Sequence, residues 1–82
     1  MASAADCDGL VQYIIESLVD NPADVVIEKK DDSRQTVYEI RVHSDDVGKV
    51  IGRQGRVIKA VRTLVRAAAS VNGSDATVEI LG

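Results

Sequence analysis

The chain has 82 residues, enough for one hydrophobic core and too few for two. Its 45% hydrophobic and 28% charged residues lie in the ordinary globular range, well away from a disordered composition. One cysteine (Cys7) and one histidine (His43) exclude an internal disulfide and any zinc site of three or four Cys/His ligands within one chain.

Residues Met1 to Cys7 read as a loose tail, without the basic and apolar regions of a secretory signal. No apolar run nears the roughly 20 residues of a membrane span, so a soluble cytoplasmic protein is expected. From Asp8 to Asp20, Leu10, Val11, Ile14, Ile15, Leu18 and Val19 recur at helical spacing. Asp6 or Asp8 could cap this helix, and Pro22 ends it. Asp24 to Lys30 reads as a strand and Asp31-Asp32-Ser33 as a turn. Thr36 to His43 is a second strand whose alternation sets Tyr38, Ile40 and Val42 on one face, and the two make an antiparallel hairpin.

Ser44-Asp45-Asp46 reads as a helix start, with a hydroxyl cap and two carboxylates in the first turn, leading a short helix from Asp45 to about Ile51. Gly52 and Gly55 interrupt it. The helix from Arg56 to Ala69 then carries Val57, Ile58, Val61, Leu64, Val65 and Ala68 on one side and Arg56, Lys59, Arg62 and Arg66 on the other. Asn72-Gly73 stops it, and Ala76 to Leu81 is a third strand. The order is α-β-β-α-α-β. This predicts an α+β domain with three helices on one face of a three-stranded mixed sheet, and the two-helix crossover favours a parallel pairing of strands two and three.

Net charge is −3, which taken alone argues against nucleic acid. Its distribution reverses that reading. Six of the ten basic residues lie between Val47 and Ser74 with no acidic residue among them; the remaining four face thirteen acidic residues, so a +6 stretch sits on a −9 body. A docking polyanion responds to the local field, because salt screens charges beyond about 8 Å.

Within the basic stretch, Val50-Ile51-Gly52-Arg53-Gln54-Gly55-Arg56-Val57-Ile58 carries the chemistry. A glycine at each end of the link lets the chain reverse between two helices at positive φ. Gly55 opens a helix whose first N–H groups lack internal partners, and Arg53, Lys49 and Arg56 add full charges, so phosphate is the expected guest. The same glycine pair is also what a plain helix–helix turn requires. Gly48 and Gly52 form a GxxxG pair that reads as close helix packing. P-loop and dinucleotide glycine spacings are absent.

This motif, with Val-Ile before the loop and Ile58 three residues after it, resembles the GxxG loop of KH domains. The element order is similar to the type II KH arrangement. Together with Asp20-Asn21-Pro22 and Asp46-Val47-Gly48-Lys49-Val50-Ile51-Gly52, it resembles the KhpA family of small bacterial RNA-binding proteins over Leu10 to Leu81. The resemblance implies single-stranded RNA as ligand, held by Lys49, Gly52, Arg53, Gln54, Gly55, Arg56 and Lys59. Ile51, Val57 and Ile58, with Ile40 and Val42, could floor a groove for bases, although apolar residues at such spacing are usually core and at most two or three of the five should be partly exposed. The resemblance further implies a role as RNA chaperone or post-transcriptional regulator tied to cell shape and wall organisation, with a KhpB-like KH partner. Arg62 and Arg66 read equally as a solvated surface. Tyr13 and Tyr38 read as packing residues, His43 as a solvated turn residue and Cys7 as inert. No cofactor and no catalytic constellation is indicated. The alternative is a protein-interaction module, a homodimer through the last helix included, in which nucleic acid is secondary.

Overall fold

The computed structural model describes residues 7–32 and 34–81. The expected tail therefore lies outside the described residues, except Cys7, which is the first residue of α1 (Cys7–Leu18). Asp6 lies outside them too. Asp8 sits inside the first turn of α1, and its carboxylate accepts the Tyr38 hydroxyl at 2.6 Å and pairs with Lys29 at 3.3 Å. Helical periodicity turns Val11 and Ile15 fully inward, while Tyr13, expected to pack, is exposed on the other side.

After a single 3₁₀ turn at Pro22–Asp24 come β1 (Val26–Asp31) and β2 (Thr36–Arg41), paired antiparallel with Ile27 opposite Ile40. Asp32 builds the link by accepting the N–H groups of Arg34 and Gln35, both at 2.8 Å. β3 (Ala76–Ile80) runs parallel to β2, giving the order β1-β2-β3 and a mixed sheet as predicted. The crossover contains α2 (Val47–Ile51) and α3 (Arg56–Val71). Val11 and Ile15 of α1, Val50 of α2, and Ile58, Val61, Val65 and Ala69 of α3 pack on Tyr38, Ile40, Val42, Ala76 and Val78 in one core. This is the type II KH architecture.

Two sequence expectations at the helix starts are corrected. Ser44–Asp46 form a 3₁₀ turn ahead of α2, and its cap is His43 rather than Ser44: His43 Nδ1 accepts the Asp45 N–H at 3.0 Å. Asp46, one of the two carboxylates placed in that first turn, is fully buried. Leu64 on α3 is likewise corrected, being 54% exposed, because α3 contacts the sheet through a narrower sector than its apolar residues span.

Candidate nucleic-acid interface

Between α2 and α3 the chain reverses in four residues. The Gly52 N–H closes α2 on the Gly48 carbonyl at 2.8 Å, and the Gly55 N–H returns to the Gly52 carbonyl at 3.1 Å. The Arg56 N–H bonds the Arg53 carbonyl. This corrects the expectation of unpartnered N–H groups at the start of α3, since the turn itself uses those of Gly55 and Arg56. The N–H groups of Arg53 and Gln54 make none of these bonds.

Gly52 (φ 76°, ψ 170°) and Gly55 (φ 73°, ψ 17°) both take positive φ. A Cβ on Gly52 would stand 2.9 Å from the Val57 backbone nitrogen and 2.8 Å from Val57 Cβ, so the end of α2 touches the first turn of α3 only because that Cβ is missing. The close packing read from the GxxxG pair thus belongs to Gly52 alone; around a Cβ on Gly48 there is nothing within 4 Å. Between the glycines Gln54 is left-handed (φ 57°, ψ 24°), a conformation that costs a non-glycine residue roughly 1–2 kcal/mol. Arg53 and Gln54 are exposed at the tip.

Arg53, Arg56 and Lys59 are exposed and carry no ion pair among the described residues, so their charges are available to an anion. Arg66 is exposed further along α3. Arg62 is not part of that surface: it is half-buried and its Nε donates to the Val78 carbonyl of β3 at 3.0 Å. Of the five apolar residues expected to floor a groove, Ile51 and Val57 are half-buried and offer surface. Ile40 has none, and Val42 and Ile58 are nearly closed, because all three are packed in the core. Two of the five are thus partly exposed, within the two or three that the spacing allows, and the other three belong to the core.

Lys49 stands one turn before the loop, yet its ammonium is engaged. It pairs with the Asp20 carboxylate and lies 3.5 Å from Asp46 Oδ1. These acids, Asp20 first, hold its pKa above the ordinary lysine value against the cost of desolvation. Asp46 accepts four contacts in all: the Asp20 N–H at 3.2 Å, the Asn21 N–H and side-chain Nδ2 at 3.1 Å each, and Lys49. Burial pushes the Asp46 carboxyl up, but these donors together outweigh it and hold it below the usual carboxylate range. Sequence reading missed this cluster, whose members lie 25 and 26 residues apart; the Asn21-Pro22 turn was its only local trace.

A cavity of about 220 Å³ opens elsewhere, among Cys7, Asp8, Lys29, Tyr38, Asn72 and Ser74. No group of His, Cys, Asp and Glu that could hold a metal ion occurs among the described residues, and none of their helices is long and apolar enough to cross a membrane.

The family model "KhpA/KhpB, KH domain" matches residues 8–80. The chain is 52% identical to the RNA-binding protein KhpA of Oceanobacillus iheyensis over 58 residues, 71% of this chain and 77% of that protein. It is 44% identical to the RNA-binding protein KhpA of Clostridium perfringens over 72 residues, 88% of this chain and 96% of that protein. The protein of the same name from Chlamydia caviae is 44% identical over 69 residues, 84% of this chain and 88% of the other. No solved structure gives a significant match. The matched span runs from the first turn of α1 to the end of β3 and takes in the whole glycine turn, so the chain belongs to the KhpA/KhpB family of KH domains, a non-enzymatic family.

Proposed function

We propose that the chain binds single-stranded RNA, with the Gly52–Gly55 turn receiving the phosphate backbone. The observation that carries this reading is the exposed Arg53-Gln54 tip, held between two positive-φ glycines and flanked by the charges of Arg56 and Lys59, which have no ion pair among the described residues. The relatives' name, RNA-binding protein, supports it. Phosphates docked at the tip meet the Arg53 and Gln54 N–H groups and the basic side chains, while Ile51 and Val57 offer apolar surface beside it. The chain acts in the cytoplasm as an RNA chaperone or post-transcriptional regulator, alongside a KhpB-like KH protein, in processes of cell shape and wall organisation. A family model spanning both KhpA and KhpB is consistent with that partnership.

The test is binding of a labelled single-stranded RNA by fluorescence anisotropy. Replacing Arg53 and Gln54 together by Asp changes the tip charge from +1 to −2 while keeping both glycines, and affinity should fall at least tenfold, about 1.4 kcal/mol. With two to four phosphates neutralised, the slope of log K against log salt should be about −1.4 to −2.8. A double-Asp variant that is folded by circular dichroism and binds as the parent does would refute the reading.

A second reading rests on a separate observation. Ala60, Leu64, Ala67 and Val71, at spacings of four, three and four, are all exposed along α3, with Val71 at 68% and Leu64 at 54%. Such a seam suits pairing with the same helix of another KH domain, a second copy included. Two linked modules would raise RNA avidity by about 10² to 10⁴. Sedimentation should show a dimer that Leu64→Lys dissociates; a monomeric parent at high micromolar concentration refutes the pairing of two copies.

A further inference from the structure

We propose that Asp46 is a positioning residue for the Gly52–Gly55 turn, and that Lys49 serves as its counter-charge rather than as a phosphate ligand. The proposal rests on the RNA-binding reading for its consequence, and on geometry for its cause.

α2 is five residues long, too short to hold its own shape or direction. Its one fully buried apolar anchor is Val50. At its start Asp46, completely enclosed, grips both backbone N–H groups of the Asp20-Asn21 segment and the Asn21 side chain, at 3.1–3.2 Å. At its last turn Lys49 reaches the same carboxylate and Asp20. Both ends of α2 are thereby pinned to the residues that follow α1. α2 in turn ends in the Gly52 N–H to Gly48 carbonyl bond, and the Gly52 carbonyl receives Gly55. The direction of α2 thus sets where Gly52, and with it the tip, stands relative to α3. A buried carboxylate without its donors or its cation is costly, which keeps the arrangement single-valued. The same contacts hold the Lys49 ammonium toward Asp20 and Asp46, one turn before the tip.

The experiment combines RNA titrations at several salt concentrations with ¹⁵N–¹H spectra of the free proteins. Asp46→Asn keeps the shape but sets an amide donor against the donors of Asp20 and Asn21. It should lower RNA affinity about tenfold with the salt slope unchanged, and shift the amide signals of Gly52 and Gly55. Lys49→Gln should leave the salt slope as in the parent, whereas Arg53→Gln should reduce it by about 0.7, the loss of one phosphate contact. If Asp46→Asn does not fold, Asn21→Ala removes only the side-chain share of the grip and should lower affinity two- to threefold and move the same two signals. The proposal is overturned if a folded Asp46→Asn, or Asn21→Ala in its place, keeps parental affinity and parental Gly52 and Gly55 signals. It is equally overturned if Lys49→Gln reduces the slope by about 0.7. If the parent itself fails to bind RNA, the RNA reading falls, and the glycine signals alone decide whether Asp46 positions the turn.

Discussion

Placing a methyl group on each of three neighbouring glycines should give three different stabilities. At Gly52 the new Cβ would meet Val57 Cγ2, Val57 Cβ at 2.8 Å and the Val57 nitrogen at 2.9 Å, so the start of α3 itself has to move. The angles there, φ 76° and ψ 170°, lie in a region that is essentially glycine-only and costs other residues about 1–3 kcal/mol. Overpacking adds about 1–3 kcal/mol, so Gly52→Ala should cost roughly 2–6 kcal/mol. For a domain of this size that is a large part of a total stability of about 4–12 kcal/mol. At Gly55 the nearest contact of a Cβ is Ile58 Cγ2 at 3.8 Å, so only the left-handed conformation counts and Gly55→Ala should cost about 1–2 kcal/mol. Gly48 lies inside α2 with nothing within 4 Å of its Cβ position, and Gly48→Ala should stabilise the fold by about 0.5–1 kcal/mol. Urea unfolding followed by circular dichroism measures all three, and about 1 kcal/mol corresponds to a Tm shift of about 4–8 °C. An ordering in which Gly52→Ala is no worse than Gly55→Ala, or in which Gly48→Ala destabilises, would refute the steric account of the turn.

Acid should unfold the domain through its engaged carboxylates. The Asp46 and Asp8 groups both sit below the ordinary aspartate value, Asp46 through donors that overcome its burial and Asp8 chiefly through the Tyr38 hydroxyl, so the stability they confer is complete above about pH 4 and is lost as pH falls through their folded values. Urea midpoints taken from pH 6 to pH 2 should fall most steeply below pH 4, and Asp46→Asn should flatten that fall while lowering stability at neutral pH; an unchanged pH profile would count against the buried network. Arg62→Ala, which removes the bond to the Val78 carbonyl, should cost about 1 kcal/mol in the same urea assay and leave the salt slope of RNA binding as in the parent. A reduced slope there would show that Arg62 contacts phosphate after all.

Local patterns determined much of this protein. The 3.6-residue period of Val11, Ile15, Val61 and Val65 and the two-residue alternation of Tyr38, Ile40 and Val42 carry their own geometry, because neighbouring side chains face a common side whatever lies opposite. The hairpin, the parallel return to β3 and the glycine turn followed from such short-range chemistry, and so did the basic face around it. The surroundings of individual side chains did not. His43 caps the turn where Ser44 had the better cap chemistry, because His43 is the residue with extended backbone (φ −54°, ψ 143°) ahead of the turn and its Nδ1 meets the Asp45 N–H. Periodicity assigns Leu64 to an apolar side, but only the placement of α3 on the sheet decides which sector of that side is covered, and Leu64 falls outside it. Ile40, Val42 and Ile58 close into the core for the same reason. Lys49, read along the chain as a binding cation, and Asp46, read as a first-turn carboxylate, meet Asp20 and Asn21, 25 to 29 residues away. Those partners come from a contact between α2 and the end of α1, which exists only once the core has brought those elements together. Charge and hydrogen-bond partners across such distances leave no periodicity to read.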